Sequence, residues 1–206
     1  MNTPVYTCFY TRGTLYELEA ARLRKSLDRL GLDHDMVAVD SKGDWVANTR
    51  QTATFIYDQL CKYHGCPMVY LDADAFVWSR PILFENLTED VAVHYRQGRE
   101  LLNGTAFFNC TPGARLVAAQ YRELITNNPG CVNEQTMLAK AIDDIGEAAT
   151  IHRLPASYCW IHDIMRNDLN GEEPVIEHLQ ASRETHVSEH TLARRKRIAT
   201  IMETCK

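Results

Sequence analysis

No stretch of this sequence approaches the ~18 consecutive apolar residues that a membrane-spanning helix needs. The opening "MNTPVYTCFYTRG" also lacks a basic segment followed by a long apolar one, so the expected location is the cytoplasm. The seven cysteines (Cys8, Cys61, Cys66, Cys110, Cys131, Cys159 and Cys205) include no C-x-x-C pair, and an odd number suits reduced thiols better than a disulfide framework. Cys61 and Cys66 resemble half a zinc site, but no second Cys/His pair stands at the usual spacing. Strong charge of one sign is missing too. A formal net charge of -5 argues against a protein that grips nucleic acid over its whole surface and leaves only a local basic patch open. Internal repeats, low-complexity tracts and Pro/Gly-rich linkers are absent, which makes residues 1–206 one expected domain.

What is present is an alternation of strand and helix patterns in a chain of 206 residues, 45% hydrophobic, enough for a full core. "PVYTCFYT" reads as a strand. Thr14 and Glu17 then form a capping box before a helix with Leu23, Leu27 and Leu30 on its apolar face, ended by Gly31. "HDMVAVD" is a second strand, "TRQTATFIYDQLCKYHG" a second helix, and "PMVYLD" a third strand. "VAVHY" and "TAFFN" follow as strands. Thr111 and Pro112 open a further helix, a short helix begins after Asn133, and "TIHRLP" and "PVIEHL" read as short strands. Ser188 is the expected cap of a last basic helix, within residues 187–206. The β-α-β-α-β opening implies an α/β sandwich around a mostly parallel sheet, whose ligands bind at the carboxyl ends of strands.

One such end carries "MVYLDADAFVW", an apolar run closed by Asp72 and Asp74. In an extended backbone both carboxylates point the same way, about 6 to 7 Å apart. Like charges so placed repel unless a cation lies near, which points to Mg²⁺ or Mn²⁺ carrying a phosphate. The plainer alternative makes Asp72 a strand cap and Asp74 a turn residue.

The chain at this point resembles the GT-A class of nucleotide-sugar-dependent glycosyltransferases, in which an apolar strand followed by D-x-D holds a metal–diphosphate. "LLNGTAFFNCTPGARLVAAQYRELI", "NEQTMLAKAI" and "IEHLQASRETH" follow in the order of motifs of the glycogenin-like and bacterial galactosyltransferase-like (family 8 type) enzymes. The resemblance covers about residues 4 to 186. It implies a GT-A, Rossmann-like three-layer sandwich, a nucleotide-diphosphate sugar as donor (UDP-sugar foremost), and Mn²⁺ or Mg²⁺ held by Asp72, Asp74 and His178. It further implies that Asn103 and Gly104 lie at the donor, that Ala181 and Ser182 let backbone approach the diphosphate, and that Arg183 pairs with it. Two departures stand out: Asn103 and Gly104 are adjacent where the relatives often have a residue between, and the basic residue after the His is an Arg placed closer than the usual Lys. Read alone, His178 is also simply a polar residue ending a strand.

Loops after the first two strands nominate Thr11, Arg12 and Asp40 for the nucleotide, and Arg50 for a phosphate, although each also suits a cap or surface position. For chemistry at the sugar, Glu134 is the first acidic candidate, with Gln135 beside it and Asp163 in "YCWIHDI" second. The family 8 resemblance leans toward retention of configuration. Tyr158, Trp160 and His162 suit either acceptor stacking or core packing. The "ARRKR" run, Ala193 to Arg197, is either a solvated face or a contact to nucleic acid, leaving glycan, protein and modified DNA base as acceptors.

Rival classes fit less well. A dehalogenase-type phosphatase opens its domain with D-x-D, whereas here two β-α units precede it. A nucleotidyltransferase needs a Gly-rich phosphate loop, and "TRGTLYE" is too poor in glycine. A binding module without turnover remains the non-enzymatic alternative.

Overall fold

The computed structural model describes residues 3–131, 133–185 and 189–204. Ser188, expected to cap the last helix, lies outside them.

The first half follows the sequence pattern closely. β1 (Val5–Thr11) leads through Thr14, whose hydroxyl accepts from the Tyr16 amide, into α1 (Leu15–Arg29). Glu17 closes the capping arrangement one residue earlier than the usual box, accepting from the Gly13 amide at 2.8 Å. Gly31 ends the helix with φ +61°, a left-handed conformation that glycine adopts without steric penalty. β2 (His34–Val39) follows. The expected second helix is two: α2 (Trp45–Thr49), capped by Asp44, and α3 (Gln51–Lys62).

β3 (Met68–Leu71) ends in a turn closed by a 2.9 Å bond from the Ala75 amide to the Asp72 carbonyl, and β4 (Ala75–Val77) leaves in a new direction. β5 (Val91–Arg96) and β6 (Glu100–Phe108) form a hairpin longer than expected, so that Asn103 and Gly104 lie inside a strand. Then come α4 (Pro112–Asn127), α5 (Glu134–Ile145), β7 (Ile151–Arg153), β8 (Trp160–Ile161), β9 (Ile176–His178) and, after a 3-10 turn over Ala181–Thr185, α6 (Glu189–Thr204).

Six strands form the central sheet in the order β2-β1-β3-β6-β5-β7, with β6 alone reversed, and β4-β9-β8 make a second small sheet. Alternation along the central strands sorts the core onto two faces. Met68, Tyr70, Val91, Val93, Ala106 and Phe108 pack with α3, α4 and α5. Val69, Leu71, Ala92 and Phe107 pack with α1 and the small sheet. The result is the expected three-layer sandwich. The segment "PVIEHL" is a strand, but of the second sheet, because the turn after β3 carries β4 away to pair with it.

Far from the strand ends that carry the D-x-D, Asp90 joins three segments at the opening of β5. It accepts from the Thr111 hydroxyl at 2.5 Å, the Thr150 amide at 2.7 Å and the Thr150 hydroxyl at 2.8 Å. Burial works to raise its pKa, but these bonds prevail and hold the carboxyl below the usual range. Their contribution is therefore present above pH ~4 and is lost as pH falls through the lowered value. Asp90→Ala should destabilise the protein by about 2–3 kcal/mol in urea titration at pH 7, a gap that narrows in acid. An unchanged midpoint at pH 7 would refute this.

Candidate metal and donor site

At the carboxyl end of β3 the backbone turns, so Asp72 and Asp74 do not converge by strand alternation as the extended reading supposed. The turn itself brings them together, and it satisfies the alternative in which Asp74 is a turn residue. Asp72 Oδ1 accepts from the Tyr70 hydroxyl at 2.7 Å, and Asp74 Oδ2 accepts from the Ala181 amide at 2.7 Å. β9 pairs antiparallel with β4, placing His178 opposite Ala75. Asp72, Asp74 and His178 each offer one ligand atom, all within 4.8 Å of one another. Cys61 and Cys66 belong to no such group among the described residues.

The His178 ring tests whether these residues suit a cation. Its Nε2 lies 2.8 Å from the Thr105 hydroxyl, while Nδ1 is buried with no partner at hydrogen-bonding distance and has Asp74 Oδ1 at 3.6 Å. With Nε2–H donated to Thr105, Nδ1 faces the two carboxylates, carrying a proton when no cation is bound and offering a lone pair when one is. A buried polar atom left so is costly unless something binds it. Gly104 lies under this convergence. A Cβ there would sit 2.8 Å from His178 Cε1 and 3.1 Å from Asp72 Oδ2, which leaves no room for a side chain.

Charge tells the same story. Burial first, and the Asp74 carboxylate second, push Asp72 up to about 6. Burial also works to raise Asp74, but His178 and the Ala181 amide outweigh it and hold that carboxyl low. Burial disfavours the His178 imidazolium, yet the Cys159 thiol and Asp74 raise it well above the ordinary value. The pocket calls for positive charge. A divalent ion with oxygen ligands and one imidazole nitrogen meets that demand.

Asp72 and Asp74 line a cleft of about 480 Å³, a size suited to a small ligand, and His178 is buried beside them. Phe9, Tyr10 and Thr11 from β1, Tyr16 from α1, Trp45 from α2 and the head of α5 wall it. Of the residues singled out from sequence, Thr11, Asn103, Glu134, Gln135 and Ser182 line this cleft, and Asn103 donates to Glu134 Oε1 at 3.4 Å.

Others are placed elsewhere. Arg12 and Asp40 pair with each other at 2.8 Å, both exposed and outside the cleft lining. Arg50 spends its guanidinium on the carbonyls of Ile125 (2.6 Å), Asn128 (2.6 Å) and Cys131 (3.2 Å) around the end of α4, the region of a helix that attracts cations. Arg183 pairs with Asp163, which His190 also contacts at 2.7 Å, and neither Arg183 nor Asp163 lines the cleft. Tyr158 and Trp160 are buried in the core, the packing alternative. Of "ARRKR", Arg194, Arg195 and Arg197 are engaged in ion pairs within the chain.

Sequence reasoning missed Tyr70 and Thr105, the residues that orient Asp72 and His178. Tyr70 was accessible, since it shares a strand face with a residue two positions on. Thr105 was not, because its partner comes from a different sheet.

Solved structures with this arrangement of strands and helices complete the assignment of the fold. A glycosyltransferase involved in the glycosylation of the major capsid of PBCV-1 matches with a TM-score of 0.67 at 12% identity, over 94% of this chain and 98% of that one. The fold is that of GT-A glycosyltransferases. Glycosyltransferase GlyE of Streptococcus pneumoniae TIGR4 matches at 0.60 and 14% identity over 91% of this chain. The bifunctional glycosyltransferase WbbM matches at 0.57 and 12% identity over 86%. The GT-A-like chain spans about half of the latter two, 55% of GlyE and 45% of WbbM. No family profile and no curated protein sequence matches the chain. No helix among the described residues is long and apolar enough to cross a membrane.

Proposed function

We propose that residues 1–206 form one catalytic domain, a metal-dependent glycosyltransferase of family 8 type that moves a sugar from a nucleoside-diphosphate donor, UDP-sugar foremost, to an acceptor hydroxyl. The observation that carries this reading is the Asp72–Asp74–His178 group with its unpartnered imidazole nitrogen, whose two aspartates line a cleft in a GT-A fold.

Asp72, Asp74 and His178 would hold the ion, and the imidazole favours Mn²⁺ over Mg²⁺, which prefers an all-oxygen shell. When bound, the ion supplies positive charge against the charge gained by the departing diphosphate. The chain's own part is positioning. Tyr70 and Thr105 fix two ligands, the Ala181 amide fixes the third, and Gly104 leaves the space they occupy. Ser182 and Thr11, both in the cleft lining, are assigned to the diphosphate and the nucleoside.

Glu134 and Gln135, at the positive end of α5, are assigned to the sugar together with Asn103. Asp163 is set aside as a base because Arg183 and His190 already engage it. Apart from the metal-binding pair, Glu134 is the acid lining the cleft among the described residues; the leaning toward retention rests on the family 8 resemblance. The pairing of Arg194, Arg195 and Arg197 favours a glycan or protein acceptor over nucleic acid. The six described cysteines are free thiols, consistent with the cytoplasmic location included in this proposal.

Calorimetric titration with UDP, GDP and their common sugars, with Mn²⁺ and then with EDTA, tests the reading. One sugar nucleotide should bind with Mn²⁺ and weaken at least tenfold with EDTA, and slow release of free sugar should accompany it. Folded protein that binds none of them with Mn²⁺ would end the proposal.

A further inference from the structure

The basic run on α6 has no part in the cleft, yet Arg194 is buried and Arg197 partly so, and where they reach is specific. Arg197 grips Glu177 of β9 with Nε and Nη2, both at 2.8 Å, while Trp78 Nε1 donates to the same carboxylate at 2.7 Å. Glu177 is fully buried and adjoins His178 in the strand, so the two side chains leave β9 on opposite faces. Arg194, also buried, bridges Glu19 of α1 and Glu184 of the 3-10 turn, the latter at 2.6 Å. Arg195 adds a second bond to Glu184 at 2.8 Å, and Thr191 donates to the Arg183 carbonyl at 2.9 Å.

α6 therefore holds the segment 177–184 at both ends. Between the holds lie His178, the Ala181 amide that binds Asp74, and Ser182. Between them too is Gln180, a cleft residue with φ +52°, a left-handed conformation that a non-glycine residue keeps only where its surroundings impose it. The strands that carry the segment are short: three residues in β9 and β4, two in β8. Such a sheet has little stiffness of its own, while ligand geometry needs placement within about 0.5 Å.

We propose that α6 is a clamp on the metal-binding segment, with Arg197 and Arg194 as positioning residues that keep His178 and the Ala181 amide in ligand geometry. The proposal rests on the metal reading given above. A buried Glu177 is tolerable only while its charge is paired, so β9 takes up its position only with α6 docked. Metal affinity is thereby coupled to the docking of a helix that touches no ligand.

The test is Mn²⁺ titration of the folded full-length protein with Arg197→Met, Arg197→Lys and Asp90→Ala. Arg197→Met should weaken Mn²⁺ binding at least tenfold, and Arg197→Lys should restore part of it. Asp90→Ala, destabilised at the opposite end of the sheet, should bind as the wild type does. Should Arg197→Met not fold, the pair Glu177→Gln with Arg197→Met removes both buried charges and should still bind weakly. Wild-type affinity in the Arg197→Met protein or in that pair, or equal loss in Asp90→Ala, would overturn the clamp. Absence of Mn²⁺ binding to the wild-type protein would instead remove the metal reading beneath it.

Discussion

Asp72→Asn protein in EDTA at pH 8 should be more stable than the wild type, and Mn²⁺ should remove most of that advantage. Asp72 has a folded-state pKa of about 6 against an ordinary 3.8, raised by burial and by the charge of Asp74. Between those two values the folded protein binds more protons than the unfolded chain, so stability falls as pH rises through the window. Above pH 6 the whole penalty is present, about 3 kcal/mol at 1.36 kcal/mol per unit. The raised His178 acts in the same direction, because its contribution is likewise lost as pH rises. Asparagine removes the charge and keeps an oxygen for the Tyr70 hydroxyl. The gain over wild type should approach 3 kcal/mol at pH 8 and shrink toward zero near pH 4.

Mn²⁺ closes most of this gap because it supplies the positive charge and binds only the wild-type site well. At 100 times Kd it stabilises the wild type by about 2.7 kcal/mol, whereas a variant short of one ligand should bind about 100-fold more weakly and gain little. Urea unfolding at pH 4, 6 and 8, with EDTA and with Mn²⁺, reads both effects. A variant less stable than wild type in EDTA at pH 8 would show that the Asp72 charge is not under strain.

Gly104→Ala should abolish Mn²⁺ binding and any sugar transfer, by a factor of about 100 or more, while the central sheet still folds. A single methyl has this effect because of where it would stand. Its carbon would lie 2.8 Å from His178 Cε1 and 3.0 Å from Nδ1. The imidazole has no room to retreat, since Thr105 holds Nε2 and the pairing of β9 with β4 fixes its backbone. Gly104 sits in a strand with ordinary dihedrals, so the constraint is space rather than conformation. Overpacking of this kind costs typically 1–3 kcal/mol, below the stability of most domains. Calorimetry of Mn²⁺ binding on protein with an intact unfolding transition is the measurement. Affinity within threefold of wild type would show that the ring moves freely and that the floor is not tight.

Much of the fold was legible because its strands and helices are set by local periodicity. β1 to β3, α1, α4 and α5 follow from alternation, from Thr14, Thr111 and Asn133 as caps, and from Gly31 as a stop. The break between α2 and α3 was not, because Asp44 begins a helix with no buried residue and so leaves no periodic trace. The second sheet was hidden for a related reason. Strands of two or three residues are too short to carry a pattern, and β4 continues the apolar run of β3 across the turn at Asp72–Ala75.

The site divides in the same way. Asp72, Asp74 and His178, with Asn103, Gly104 and Glu134, were named by residue type and motif order alone, since oxygen and nitrogen ligands at strand ends are a local signature. The fate of each arginine was not. Arg50 turns to the end of α4, Arg183 to Asp163, and Arg197 to Glu177, because a guanidinium on a long stem takes whichever acceptor the packing brings near. By itself the sequence determined the α/β order and named the candidate ligands. Only the tertiary structure decided that a turn joins the two aspartates, that Thr105 and Gly104 shape the histidine's place, and that the basic tail grips the ligand strand. Those are contacts between segments distant along the chain, and no local pattern encodes a partner on another sheet.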